Sequence, residues 1–572
     1  MTPDANSLQR HRPAWHAVAP ATHWMNDPNG LWRDGDGLWH LWFQYRDNPP
    51  AYSRTHWGRL VSADGLVWRL AGTDFAADAD GDIYSGCVVD VGVGIGIGAN
   101  VVVQRAYVTR HEHGRGSAAG APPPAVRQSV ESWQRDGPKA AWQPAPATTR
   151  VDPGLRDFRD PFVFRYGNGW RMLVAEPCPW DAAAPGPARS RLQVWRSADG
   201  LHWEPAGAFG PWDPPRVMWE VPQLLPLSAL QDRASVAPPQ DGGLWLLLVS
   251  VLDRREGKET TAESVATDIA CSVRWHVGTF DGARFEPLAD SAVTATAVSK
   301  STGGCVTGRL LDHGPDCYAA CLQTPDHARP AEPALVAWMS HWAYARHLPL
   351  PDFAGGPMTL PRRLSWRADS SGNGLRQQPT EALVQKRAAG PLVTPMQVLT
   401  GARCTVARSL GSLDLEMGLH MAAGGQAWLR LGESESGSKT ETAPAPLALH
   451  IDAGAGRITL HRAPLANLEP GAEPQAEAIP AFAGTWPADW TPDVSGEVSV
   501  RLLLDGCCAE IYIDAGALVF SALVFPSAGA VCTLSAEVGA QVVLRAGQAW
   551  VIEPRGPSLH AMSERKAPYS DR

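Results

Sequence analysis

The chain has 572 residues, 19% of them charged, and a formal net charge of −9 at pH 7. That length supports two or more domains with sizeable cores. An acidic balance without a basic stripe argues against a nucleic-acid partner, and no run approaches the ~20 apolar residues of a membrane span. Trp is unusually frequent, with 24 residues against 12 Phe and 9 Tyr. Indole rings fill β cores and also stack on sugar faces, so most are expected in the core and a few at a site.

Met1 to Pro20 lack the apolar stretch of a secretory leader. The ten cysteines show no zinc-type spacing, and Cys507-Cys508 is a vicinal pair that would bridge only with strain. Reduced thiols, a cytoplasmic location and no metal or other cofactor are the expectation; a wrongly assigned start site would make the protein secreted. Thereafter short apolar runs alternate with Gly, Pro, Asn and Asp turns, without long helical periodicity, which predicts an all-β fold.

One hairpin signature recurs. Ser62-Ala63-Asp64-Gly65-Leu66-Val67-Trp68 returns as Ser197-Ala198-Asp199-Gly200-Leu201-His202-Trp203, with looser copies at Asp136-Gly137 before Trp142 and Asp281-Gly282 before Phe285. Asp-Gly forms tight turns between paired strands, and four copies in sequence suggest the blades of a propeller. Residues 114–125 read as a mobile insert. Composition shifts between 377 and 400, and strand-like alternation then dominates. In Arg501 to Asp514, Ala509, Ile511 and Ile513 point one way and Glu510, Tyr512 and Asp514 the other, as in a half-buried sandwich strand. The tail from 558 is polar.

Three acidic blocks stand out: Trp24-Met25-Asn26-Asp27-Pro28-Asn29-Gly30, Phe158-Arg159-Asp160-Pro161 and Trp219-Glu220-Val221-Pro222. Carboxylates framed by aromatics suit glycosidic chemistry, in which one acid attacks, one protonates the leaving oxygen and one grips hydroxyls. Taken singly, Asp27 also reads as an Asp-Pro turn residue, Asp160 as half of a buried Arg–Asp pair and Glu220 as an edge-strand residue beside a proline. Other patterns point nowhere. Gly92 to Gly98 is followed by the strand-like Val101-Val102-Val103, not a phosphate-binding helix. His111-Glu112-His113 lacks further metal ligands, and no Gly-x-Ser-x-Gly elbow is present.

The order of the blocks resembles glycoside hydrolase family 32, the β-fructosidases. Gln44-Tyr45, His56-Trp57-Gly58, the Ser62 hairpin and Tyr84-Ser85-Gly86 follow the first block in family order. Asp312 to Ala320, Trp338-Met339-Ser340-His341-Trp342 and Met358 to Leu364 follow later. The resemblance runs from about residue 12 to about 550 and implies a five-bladed β-propeller (1–380), a C-terminal β-sandwich (381–557) and a tail (558–572). It implies Asp27 as nucleophile, Glu220 as acid/base and Asp160 as transition-state stabiliser, with Arg159 orienting carboxylate and sugar. Asn26, Gln44, Tyr52, Tyr84, Ser85, Asp316 and Trp338 form the implied binding shell. Val221 departs from the family, which commonly has Cys there. The implied activity is retaining release of terminal β-D-fructofuranosyl units from sucrose or fructo-oligosaccharides. A fructosyltransferase on the same scaffold and an inactive sugar-binding propeller are the alternatives. The sandwich leaves a homodimer compatible with the sequence without requiring one.

Overall fold

Each copy of the Asp-Gly signature joins the third strand of a small sheet to its fourth. In a computed structural model, Asp64 Oδ1 accepts from Leu66 N and Val67 N, while Ser62 Oγ accepts from Gly65 N. Asp199 and Ser197 repeat those bonds with Leu201, His202 and Gly200. Gly65 and Gly200 take φ of 75° and 72°, which only glycine adopts without strain. The structure describes residues 11–20, 23–47, 54–96, 99–112, 126–177, 190–210, 212–213, 217–230, 243–254, 269–288, 307–323, 333–348, 354–367, 374–388, 390–401, 403–408, 412–434, 445–465, 479, 482–526, 530–537 and 542–552. Tyr52, the insert at 114–125 and the tail from 558 lie outside them. Among the described residues no helix is long and apolar enough to cross a membrane.

Five sheets follow one another, each ordered as in the sequence. The first holds β1 (His23–Arg33), β2 (Trp39–Asp47), β3 (His56–Ser62) and β4 (Arg69–Phe75). The second holds β5 (Gly81–Gly96), β6 (Ala99–Glu112), β7 (Arg127–Asp136) and β8 (Gln143–Pro144). The third holds β9 (Arg159–Tyr166), β10 (Gly169–Glu176), β11 (Arg191–Ser197) and β12 (Glu204–Phe209). The fourth holds β13 (Val217–Pro226), β14 (Leu244–Arg254), β15 (Ile269–Phe280) and β16 (Phe285–Pro287), with β17 (Arg309–Leu310) also on β15. The fifth holds β18 (Tyr318–Leu322), β19 (Ala334–Trp338), β20 (Arg362–Trp366) and β21 (Leu375–Pro379). The first strand of each sheet touches the next in a closed ring, β1 to β5, β9, β13, β18 and back to β1. This is a five-bladed propeller with its first strands innermost. The glycine run after Val91 continues β5 into its hairpin with β6.

A β-sandwich follows. One sheet contains Ser412–Met421, Glu497–Asp505, Cys508–Ile513, Leu518–Leu523 and Val542–Val551; the other contains Gln426–Ser434, Leu447–Asp452, Arg457–Arg462 and Ala530–Ala536. Leu415, Leu429, Leu449, Leu502, Ile511 and Phe520 fill the layer between them. The Arg501–Asp514 segment differs from the half-buried strand expected of it. It is a hairpin, and its strand Cys508–Ile513 is buried at every residue. The reason is that its polar face meets the propeller, not water. Glu510 pairs with Arg362 of β20, Asp312 pairs with the same guanidinium, and His16 bridges Asp505 and Glu510.

Candidate active site

Every innermost strand breaks register, and β5 does so a second time between Asp90 and Gly92. The other irregularities lie between Met25 and Gly30 in β1, Tyr84 and Gly86 in β5, Arg159 and Phe162 in β9, Glu220 and Gln223 in β13, and Tyr318 and Cys321 in β18. A bulge re-aims a side chain that the pleat would otherwise bury. Three of these sites hold a non-glycine residue at positive φ: Asp160 at 61°, Val221 at 46° and Ala319 at 51°. Backbone strain is therefore concentrated around the axis of the ring. Gly86 is required beside Ser85, because a Cβ there would collide with the Tyr107 carbonyl oxygen. Strands β1 and β13 are buried along most of their length. Asp27 is the one partly open position from Trp24 to Trp32, and Glu220 the one partly open position from Val217 to Leu225.

Asp27 sits among neutral donors. Ser85 Oγ donates to its Oδ2 at 2.7 Å, Gln44 Nε2 to the same oxygen at 3.3 Å, and Asn26 Nδ2 to Oδ1 at 3.1 Å. These donors are themselves tied: Asn26 Nδ2 reaches Gln44 Oε1 at 3.1 Å, and Trp24 Nε1 donates to Asn26 Oδ1 at 3.0 Å. Asn29, from the same sequence block, is fully buried, with its amide assigned so that the nitrogen faces Ser85 Oγ and the oxygen accepts from Gln44 N and Trp57 Nε1. Burial pushes the Asp27 carboxyl above the usual carboxylate range, Ser85 and Asn26 pull it down, and the charge of Glu220 adds to the upward push.

Glu220 has charged company. Arg159 Nε and Nη2 both donate to its Oε1, at 3.0 and 2.7 Å, and Tyr318 Oη donates to Oε2 at 2.6 Å. Burial and the neighbouring carboxylate hold the Tyr318 phenol well above its usual value, so it stays a donor. Arg159 thus pairs with Glu220 and with Asp157, not with the adjacent Asp160. Asp160 is buried. Its backbone N–H donates to Thr109 Oγ1 at 2.9 Å and its Oδ2 accepts from Val221 N at 3.0 Å, linking the second, third and fourth blades. Burial first, then the charge of Glu220, raises its carboxyl pKa, with Arg159 acting in the opposite sense.

Asn26, Gln44 and Ser85 therefore bond to Asp27 and Arg159 bonds to Glu220, and Tyr84 stands beside Ser85 with its ring stacked on His111. Two expected binding residues do not join them. Asp316 is fully buried at the sandwich, where its Oδ2 binds Arg462 Nη1 at 2.5 Å and accepts from Leu523 N at 2.7 Å, and its Oδ1 accepts from Tyr344 Oη. With no exposed surface, neither oxygen is within reach of a sugar hydroxyl. Trp338 has zero exposure, packed 4.7 Å from Trp342, so neither ring face is open to a ligand. Trp342 itself is half-buried and faces Trp24 at 6.4 Å. Tyr318, Asn29 and Trp342 were within the blocks that carry the family resemblance, which was the available signal for them. Thr109 had none.

Carboxylates held in different polar settings at the centre of a closed ring define a glycoside-hydrolase site. Residues 16–379 match the N-terminal domain of glycosyl hydrolases family 32 and residues 385–550 match its C-terminal domain, so the chain belongs to that family. An extracellular exo-inulinase of Aspergillus awamori is 24% identical over 563 residues, 93% of each chain. A levanase of Bacillus subtilis is 24% identical over 526 residues, 90% of this chain and 66% of the levanase. The crystal structure of the A. awamori exo-inulinase superimposes with a TM-score of 0.72 at 21% identity, covering 96% of this chain and 99% of that one.

Proposed function

We propose that the protein hydrolyses the bond joining a terminal β-D-fructofuranosyl unit to sucrose or to a fructan, with retention of configuration. The observation that carries this reading is the contrast between Asp27, held by neutral amide and hydroxyl donors, and Glu220, held by a guanidinium and a phenol. Asp27, once ionised, attacks C2 while the C2–O bond to the leaving group breaks. Glu220 gives its proton to the departing oxygen. It then takes a proton from the water that cleaves the fructosyl ester and frees Asp27. Asp160, with Oδ2 fixed by Val221 N, is assigned to the fructose hydroxyls and to the positive charge that develops on the ring. Asn26, Gln44 and Ser85 orient Asp27 and border the fructose, and the Tyr84 ring forms a wall.

In this reading residues 1–380 carry the chemistry and residues 381–557 brace them through Glu510, paired with Arg362, and Arg462, paired with Asp316. Names of relatives that act on inulin and levan favour fructans alongside sucrose. The test is incubation of the purified protein with sucrose, inulin-type oligosaccharides and levan, with products resolved by chromatography over time. Free fructose as the main product is expected. A dominant trisaccharide from concentrated sucrose would make the protein a transferase, and no product from any of the three would remove the enzymatic reading.

A further inference from the structure

A line of contacts runs from Tyr84 to Glu220 that the chemistry above does not use. Arg159 has two working edges. Nε and Nη2 grip Glu220 Oε1, whereas Nη1 donates to Asp157 Oδ1 at 2.8 Å and to Gln128 Oε1 at 3.3 Å. Gln128, on β7 and 2% exposed, accepts at the same oxygen from Phe158 N at 2.8 Å. Both donors are N–H groups with no acceptor alternative, so the amide has one allowed orientation. Its nitrogen must then face His111 Nδ1, 3.1 Å away, which makes Nδ1 the acceptor and puts the ring proton on Nε2. His111 and Gln128 are cross-strand partners between β6 and β7, and the imidazole lies flat on Tyr84, 4.5 Å between centroids with an interplanar angle of 7°.

We infer that Gln128, oriented by His111, is a positioning residue for proton transfer by Glu220. It fixes the Arg159 fork, and the fork decides which oxygen of Glu220 carries the proton. An oxygen that already accepts two guanidinium N–H bonds is a poor proton carrier. The transferable proton therefore resides on Oε2, and Tyr318 Oη turns from donor to acceptor when it is there. From Oε2 the proton passes to the leaving oxygen as the C2–O bond breaks and the Asp27–C2 bond forms. Without Gln128 the fork loses one of its two anchors on the far edge, and the two oxygens lose their distinct roles. The inference rests on Glu220 being the acid/base.

The experiment uses two substrates that differ in their need for an acid. Sucrose has an alkoxide leaving group and needs protonation; a nitrophenyl β-D-fructofuranoside needs little. kcat/KM reports the first bond-breaking step for both. Gln128→Leu should lower kcat/KM for sucrose by about 30-fold and for the aryl substrate by less than about threefold. His111→Phe, which keeps a ring stacked on Tyr84 and removes the acceptor, should show the same pattern more weakly, and it serves if the leucine variant does not fold. Equal losses on both substrates would reduce Gln128 to a structural amide, and wild-type values would remove its role. Glu220→Ala separates the two readings. If it impairs both substrates alike, the acid assignment fails and this inference falls with it; if it spares the aryl substrate while Gln128→Leu does not, only the inference fails.

Discussion

Tyr318, on the innermost strand of the fifth blade, donates from its hydroxyl to Glu220 Oε2 at 2.6 Å, across from the Arg159 grip on Oε1. Two blades thus hold one carboxylate from opposite sides. Removing the phenol oxygen alone tests that hold. Tyr318→Phe should lower kcat on sucrose by about 10- to 100-fold with KM changed less than about threefold, as expected for a hydrogen bond to a charged group. A kcat within twofold of wild type would show that Arg159 suffices.

Asp160 predicts an opposition between stability and activity. Its carboxyl pKa is raised by burial and by Glu220. A raised carboxyl contributes fully to stability below the unfolded value, and that contribution is lost as pH rises through the folded one. At neutral pH the ionised group is therefore a burden on the fold. Asp160→Asn keeps an oxygen for Val221 N and removes the charge. It should raise Tm by about 2 °C or more at pH 7 while cutting activity on the order of a hundredfold. A lower Tm would show that the carboxylate contributes to the fold by bonds not accounted for.

The interface between propeller and sandwich should titrate. Burial alone would lower the His16 pKa, but hydrogen bonds to Asp505 and Glu510 outweigh it and raise it to about 9. Burial would raise Glu510, but Arg362 and His16 bring it down to about 2. The His16 contribution is complete below its unfolded value of about 6.5 and is lost as pH rises through about 9. The Glu510 contribution is complete above about 4.5 and is lost as pH falls toward about 2. Calorimetry should show Tm falling between pH 7 and 10, with a shallower fall in His16→Gln. Parallel curves for the two proteins would exclude His16 as the source.

Asp316 should matter to the fold and not to the sugar. Its replacement by Asn weakens a buried pair with Arg462 and should cost up to about 3–5 kcal/mol. Tm should drop by several degrees, with KM for sucrose within about twofold of wild type when assayed well below that Tm. A raised KM with unchanged Tm would return Asp316 to the substrate.

The sequence revealed most where one residue does one local job. The Asp64, Asp136, Asp199 and Asp281 turns each follow the third strand of a blade. Their signal survives because a tight turn depends on its own few residues. Asp27, Asp160 and Glu220 were legible through their blocks. Asp316 and Trp338 lie in equally recognisable blocks, yet packing decides their roles: Arg462 lies 146 residues from Asp316 with no motif around it, and Trp342, although in the same block as Trp338, meets its ring only in the folded chain. Alternation separates Glu510 from the apolar face of its strand, but it says only that two faces differ and not what the polar one meets. Thr109 and Gln128 bear no motif and gain meaning only when β9 is laid beside β6 and β7.

No strand is shared between the first and last blades among the described residues. The circle is fastened by short contacts instead, Met25 N to Ala354 O at 3.0 Å and Ala354 N to His23 O at 3.1 Å, with bridges at Trp24 and Leu31. Asp27, the proposed nucleophile, lies two residues from that clasp. A molecule whose clasp has slipped would keep nearly all its strands and look native by circular dichroism, yet the Asp27 carboxylate would have lost its alignment with the opposite blades. Turnover is therefore a more sensitive gauge of an intact circle than any measure of β content, and heat should silence the enzyme before it melts it.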